Sequence, residues 1–586
     1  MGRVRQILGF LRPYRRPLLL AAVLTAVLTF IGMAPPLVMR LLVNDVAQEG
    51  RWGIFPLLIT LLLAVPVLVA AINIVNGIVR NRVAQGVIRD TRRRLFAHLM
   101  RLSMRFYDEQ PVGAISQRLL GDVTNISTVV TCGLIELLAD GIAVTFAVVV
   151  MLRLSPTLAL LTLALLPLHV LNYRFFARRM QAANAALRSR MDHISSTLQE
   201  QFSAHELVQS YGQEKAQSQQ FASQARQIMD AAVRGSAYSI SFNQLSAFIN
   251  KISNTVIYGA GCYAFVKGAM GYGDVVAFCA YATQLLGPVV RFLSLANQVV
   301  QVGVSVDRVQ EILDREPAIQ EARDAKPVPA LKGDIDLDGV VFGEGTPHPV
   351  LRKVGLSIPA GTHVGLVGPT GAGRSTLAML LRRFYDPTEG AVKADGRDIR
   401  ELRLRDYRRA VALILPESAV FDGTIRDNLC YGRPDAPEDR MVEVARAVGL
   451  DDFVSGLSAG YDTRVGAGAL RLSAGVQQQI GIARALISDP FVLIADEATA
   501  SLDADTAQAI DESIREAMAG RTCILIYSRV LMAREADRVM VMDEGRIVEA
   551  GTHEELASTR DSLYRELFGR QYGDDRLPPI AGEDGA

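Results

Sequence analysis

The sequence predicts a multidomain membrane protein: a six-helix transmembrane domain with long cytoplasmic helical extensions, followed by an α/β domain. Three observations predict it. Long apolar runs crowd the first half of the chain. In the second half, short apolar runs suited to buried parallel strands alternate with helical patterns. Between one such strand and helix lie Gly368, Pro369, Thr370, Gly371, Ala372, Gly373, Arg374, Ser375 and Thr376, which read G-x-x-x-x-G-K-[ST] with Arg374 in the lysine position. Glycines there let backbone N–H groups close around a phosphate chain, Ser375 offers a hydroxyl to Mg²⁺, and the basic residue reaches the outer phosphates. The second half is therefore an α/β P-loop nucleotide-binding domain.

Each element follows in order. Runs at 18–43, 55–79, 129–152 and 157–176 are each about the 20 residues that a bilayer demands. Two weaker runs, 248–266 and 275–302, carry polar residues and complete six spans. Asn250, Lys251 and Asn254 fall in the fifth; Gln284, Arg291, Asn297 and Gln298 fall in the sixth, around Pro288. Such groups either line a substrate path or snorkel and sit on helical extensions. His169 and Asn172 near the end of span four read as interfacial. Asn73 and Asn76 in span two suit helix–helix hydrogen bonds. Two long charged stretches, 80–125 and 178–238, separate spans two and three and spans four and five. Arg80, Arg82, Arg89, Arg92, Arg93 and Arg94 cluster in the first, and Arg174, Arg178 and Arg179 open the second. The short connections hold only Arg51, Arg153 and Lys267, so the long stretches and both termini are expected in the cytoplasm. The long stretches are helical in pattern with few breakers, as in helices that continue below the membrane and turn back.

Composition agrees with this division. The chain has 586 residues, too many for one core, with 50% hydrophobic and 21% charged residues. A mean hydropathy of +0.21 is what a membrane half averaged with a soluble half gives. A net charge of +1 argues against nucleic-acid binding by bulk charge. The five cysteines are scattered without metal-ligand spacing. The expected domains are 1–316 (membrane), 317–332 (linker), 333–570 (nucleotide-binding) and 571–586 (a disordered, Asp-, Pro- and Gly-rich tail).

A second motif supports the first. Val492, Leu493, Ile494 and Ala495 form an apolar strand that ends in Asp496 and Glu497. Asp496 suits Mg²⁺, held through water, and Glu497 can orient or deprotonate an attacking water. Leu472, Ser473, Ala474, Gly475 and Val476 lie between the motifs, and Ala498, Thr499, Ala500, Ser501, Leu502 and Asp503 follow. On these residues the chain resembles an ATP-binding-cassette exporter half-transporter (type IV fold), six membrane helices with one nucleotide-binding domain. Phe106, Tyr107 and Asp108, with Gly113, Arg118 and Asp122, are similar to the family's first intracellular loop. The stretch 539–556 is similar to its closing strand and turn. The resemblance implies ATP and Mg²⁺ as ligands, a multi-pass place in the cell (inner) membrane, and a second half-transporter as partner. Two ATP molecules are then sandwiched, each between one domain's glycine loop and the other's LSGGQ signature, here Leu472 to Val476, with Asp503 in the adjoining D-loop.

Against that family pattern six positions depart. Glu344 stands where an aromatic stacks on adenine. Arg374 replaces lysine, and a planar fork does not duplicate a compact ammonium. Pro416 occupies the place of the glutamine that senses the γ-phosphate. Ala474 and Val476 alter the signature to LSAGV. Val465, Gly466, Ala467 and Gly468 lack the usual glutamate and arginine. Ser528 replaces the switch histidine, while Glu497 is retained. The expected function is a subunit of an exporter moving a lipid, peptide or other amphipathic solute, with its own site impaired beside a more intact partner. A homodimeric exporter with tolerated variants and a non-hydrolysing regulatory membrane protein are the alternatives.

Overall fold

A computed structural model describes residues 12–128, 133–328, 331–343, 348–466, 468–499 and 502–573. Glu344, Ala467, Ala500, Ser501, the start of span three with Cys132, and the tail from 574 lie outside the described residues. The fold divides into two compact units: Met1–Met100 with Pro111–Arg315, and Arg101–Gln110 with Glu316–Ala586.

The first unit is helical. Its long helices are Arg15–Gly32, Phe55–Leu99, Leu134–Leu154, Pro156–Ser203, Glu214–Val266 and Tyr272–Leu313. Among the described residues, four helical stretches are long and apolar enough to cross a membrane: Arg12–Gln48, Trp52–Leu99, Ile135–Leu154 and Pro156–Ser203. The helices Glu214–Val266 and Tyr272–Leu313 are long enough at 53 and 42 residues. In the second stretch only 11% of the apolar window is buried. Leu63 and Val67, for example, stand about two-thirds exposed. Such a surface needs hydrocarbon or another subunit against it. Helix boundaries follow local chemistry. Ser155 accepts from the Leu158 N–H and Pro156 opens the helix, so two helices meet at a sharp corner.

Several buried polar groups inside this unit pair between helices. Asn76 donates to Thr25 Oγ1 at 3.0 Å, as expected for a helix–helix bond. His169 and Asn172, near the end of the apolar stretch of Pro156–Ser203, are packed between helices. Both are buried. His169 Nε2 meets Asn250 Oδ1 at 2.9 Å, and Asn172 donates to Ser246 Oγ at 2.8 Å, joining Pro156–Ser203 to Glu214–Val266. Arg291 is engaged by an acid that the hydropathy pattern hides. Its Nε and Nη2 donate to the two oxygens of buried Asp140 at 2.9 and 2.5 Å. The side chains of Asn297 and Gln298 lie outside the described residues. Tyr281, fully buried, donates to the Met33 carbonyl at 2.6 Å.

Among the described residues the second unit carries twelve strands. These are β1 (Ile335–Phe342), β2 (Leu351–Ile358), β3 (His363–Val367), β4 (Glu389–Ala394), β5 (Arg397–Asp398), β6 (Val411–Ile414), β7 (Gly423–Thr424), β8 (Arg464–Val465), β9 (Val492–Asp496), β10 (Thr522–Ile526), β11 (Arg538–Asp543) and β12 (Arg546–Gly551). One sheet has the order β2-β1-β4-β5, a second β12-β11-β3-β10-β9-β6, and β7 pairs with β8. In the six-stranded sheet every neighbouring pair except β11–β12 is parallel. Strands β9 and β10 are buried at every residue, which is why they read as unbroken apolar runs. Hydrophobic side chains pack on both faces of this sheet.

Three segments tie down around it. The short helix Met104–Glu109 belongs to this unit, with Asp108 accepting from the Tyr385 hydroxyl at 2.6 Å. The linker is held by its backbone: buried Arg383 donates to the Gln320 carbonyl at 3.2 Å, and the Lys326 N–H donates to Glu401 O at 2.9 Å. The tail expectation needs correcting at its start. Gln571 and Tyr572 are the last residues of the helix Leu563–Tyr572, not a disordered segment. Gln571 accepts from the Val530 N–H and donates to the Ser528 carbonyl, both at 3.0 Å, which fixes the helix end.

The Asp140–Arg291 pair yields a prediction. Arg291→Ala leaves a buried carboxylate without its partner. It should lower the thermal midpoint of the detergent-solubilised protein by about 3 °C, and adding Asp140→Asn should recover most of that loss in the same melting assay.

Candidate functional site: the rim of three parallel strands

Parallel pairing places three strand ends side by side. Leu366 of β3 is opposite Ile526 of β10, and Ile526 is opposite Asp496 of β9. The ladder continues one step beyond the strands: Tyr527 N–H donates to Leu366 O and Glu497 N–H to Ile526 O, each at 3.0 Å. The next residues of each strand therefore emerge at one rim. They are the loop Gly368–Gly373, the acid Glu497 and the segment Tyr527–Ser528. Clefts at the carboxyl ends of parallel strands are where such sheets bind ligands.

The loop has the backbone its sequence demands. Gly368 sits at φ +154°, and a Cβ there would stand 2.0 Å from the Met542 carbonyl oxygen. Gly373 at φ +99° is the left-handed residue from which the helix Arg374–Leu381 starts. Ala372 is buried, while Pro369, Thr370 and Gly371 stay open to solvent. The free N–H groups of a helix start then face an anion.

Arg374 does not lie along that loop. Its side chain is buried. Nη1 donates to the Tyr527 carbonyl at 2.5 Å, and Nη2 lies 3.3 Å from Glu497 Oε1. One guanidinium thus joins the loop's helix, the end of β9 and the end of β10. Glu497 itself takes a left-handed backbone, φ +47°, unusual for a residue with a side chain. Beside it Asp496 is 2% exposed, and its Oδ1 has no hydrogen-bond partner. Burial raises the Asp496 pKa, opposed by the Ser375 hydroxyl bond and the charge of Arg374, while neighbouring Glu497 adds to the rise. A buried carboxylate oxygen lacking a donor, next to a hydroxyl at the start of a phosphate loop, fits a hard cation with oxygen ligands. Ser375 and Asp496 are the residues that would hold Mg²⁺, and the ion would neutralise charge on bound phosphates.

Ser528 is exposed and its side chain carries no imidazole. It lines a cleft of about 20 Å³ with Glu497, Thr499 and Arg529, room for roughly one water. Behind it is an acid that sequence reasoning missed. Asp511 is buried, hydrogen-bonds Tyr527, and has its pKa pushed up to about 6, chiefly by burial. Pro416 is exposed just past β6 and cannot donate through its backbone.

The other predicted residues occupy separate places. Ser473 caps the helix Ala474–Ile487, accepting from the Val476 N–H at 3.4 Å, and both Ser473 and Ala474 are exposed. Gln477 braces the segment by donating to Leu472 O at 2.9 Å. A Cβ on Gly475 would meet Leu502 at 3.3 Å. Asp503 caps the helix Ala504–Ala517, accepting from Thr506 N–H at 2.9 Å, a bond that lowers its pKa. The rim thus gathers Gly368–Thr376, Asp496, Glu497 and Ser528, whereas Leu472–Val476 present an outward helix start.

A helical membrane unit joined to a phosphate-loop domain with this strand order defines a class, and comparison agrees. Residues 18–289 match the family described as ABC transporter transmembrane region, and residues 351–500 match ABC transporter. The chain belongs to the ABC transporter family and is an exporter half-transporter. It is 31% identical over 571 residues to the "Uncharacterized ABC transporter ATP-binding protein YknV" of Bacillus subtilis (strain 168), covering 97% of this chain and 94% of that one. It is also 31% identical over 571 residues to the "ATP-dependent lipid A-core flippase" of Syntrophus aciditrophicus (strain SB), covering 97% and 93%. Among solved structures, a bacterial Atm1-family ABC exporter with ATP bound aligns with a TM-score of 0.81 at 27% identity, over 96% of this chain and 98% of that one.

Two outcomes follow from this geometry. Gly368→Ala should abolish binding of a fluorescent ATP analogue, read by titration, while circular dichroism still reports a folded protein. The Asp511 carboxyl takes up its proton more readily folded than unfolded, because its pKa rises from 3.8 to about 6. The folded state therefore holds more protons through that window, and stability falls as pH rises from about 4 to 6. Asp511→Asn should flatten this fall in thermal midpoints measured from pH 4.5 to 7.

Proposed function

We propose that this chain is the weaker half of an ATP-driven exporter, working beside a second, more intact half-transporter. The observation that carries this reading is Arg374. The cation of the phosphate loop is buried against Glu497 and the Tyr527 carbonyl. Pro416 offers no amide and Ser528 no imidazole to replace what the family's site uses. Asp496, Ser375 and the glycines are kept, so Mg²⁺-ATP can be held without being turned over efficiently. Leu472, Ser473, Ala474, Gly475 and Val476, with Ser473 and Ala474 exposed at a helix start, complete the partner's ATP site across the dimer, where backbone N–H groups favour phosphate.

The six long helices supply six crossings, with the nucleotide-binding domain and both termini in the cytoplasm. Asn250, paired with His169 of the helix Pro156–Ser203, and Asn254 one turn on are placed to line the bundle interior. Conformational change follows because ATP binds the closed sandwich and not the open one. Long intracellular helices around 106–123 and 206–212 pass closure to the spans. The solute is amphipathic. Relatives carrying lipid A-core flippase and multidrug export names support that class, and no nucleic acid is involved.

The chain purified alone should hydrolyse ATP at no more than about a tenth of the rate of the same chain co-purified with its partner half, measured as phosphate release in proteoliposomes. Robust hydrolysis by the chain alone, lost on Glu497→Gln, would instead establish a homodimeric exporter.

A further inference from the structure

The weak-site reading leaves open which departure silences the site, and the geometry points to one. We propose that Arg374 is a latch: its ion pair with Glu497 holds this chain's nucleotide site silent, and removing the latch restores turnover. This rests on the proposed weak site and assigns its cause.

The argument starts from reach. The helix start places Arg374 beside both neighbouring strand ends. Its fork donates from Nη1 to Tyr527 O at 2.5 Å and brings Nη2 to 3.3 Å from Glu497 Oε1 in an ion pair, so it engages two different chain segments. A lysine ammonium is a single point, so it cannot hold both positions with the geometry of a planar fork. The fork is 10% exposed and the Glu497 side chain 30% exposed, so water screens the contact poorly at the arginine end. Parting a charge pair sheltered in this way leaves an uncompensated guanidinium among buried groups, which opposes its release.

Two consequences converge on silence. A carboxylate oxygen engaged by a guanidinium is not available to orient a water or take its proton. A guanidinium engaged by Glu497 and the Tyr527 carbonyl is not available to the outer phosphates. Asp496, with its Oδ1 unpartnered, and Ser375 remain free to hold Mg²⁺. The cation-binding parts are therefore intact while Glu497 Oε1 and the phosphate cation are held against each other. The Tyr527 carbonyl draws the next residue into the same lock. Ser528 follows directly, and its own carbonyl accepts from Gln571 at 3.0 Å, so the segment is held from both sides.

The test uses the full-length chain in proteoliposomes. Arg374→Lys should raise ATP hydrolysis by this chain alone by about tenfold or more, and adding Glu497→Gln should remove the gain. Independently of activity, nucleotide-free melting of Arg374→Gln, Glu497→Gln and the double variant should be non-additive: the double variant should melt no lower than the worse single one. If Arg374→Lys stays silent while ATP binding and melting are preserved, or if the melting losses simply add, the latch is overturned. The weak-site reading then stands on Pro416 and Ser528. If the unaltered chain already turns over robustly, the weak-site reading falls and the latch falls with it.

Discussion

The hydrogen bonds that carry the parallel ladder one residue past β9 and β10 are the constraint on which the nucleotide site depends. They decide that Glu497, Tyr527 and the glycine loop share one rim. Parallel strands buried on both faces cannot slip register without moving every apolar side chain on two cores. The rim is thus set by the whole sheet, and no single loop residue can relocate it. Arg374 is placed by the same register: the helix that starts at Gly373 delivers its guanidinium to the neighbouring strand ends because those ends are adjacent.

Much of this was legible in the chain. The apolar runs at 492–495 and 523–526 announced buried strands because both faces of the sheet are covered. The glycine spacing announced the loop because its backbone angles admit little else. What the sequence could not disclose was contact. Residue types at 374, 497 and 527 are visible, but their meeting depends on strand order, which linear spacing does not encode. Asp140 escaped notice because one acid in a long apolar run barely moves its average, although it is the partner that makes Arg291 tolerable there. Gln571 was read with the polar residues after it, whereas its amide is consumed by two backbone groups of a loop far back in the chain.

The two units solve different problems with the same rule that buried polar groups need partners. In the helical unit, His169 with Asn250, Asn172 with Ser246 and Asn76 with Thr25 join helices where no water competes. In the sheet unit, Arg383 gathers the Gln320 and Ile399 carbonyls and so turns the linker into part of the domain surface.

The Gln571 clip has a consequence in time. During synthesis, residue 528 leaves the ribosome well before residue 571, which follows it by 43 positions. Until that later helix forms, the Ser528 carbonyl and the Val530 N–H lack the amide that bridges them. The order in which the chain is made thus leaves this clip to close only after the helices meant for the bilayer, made earlier, have emerged.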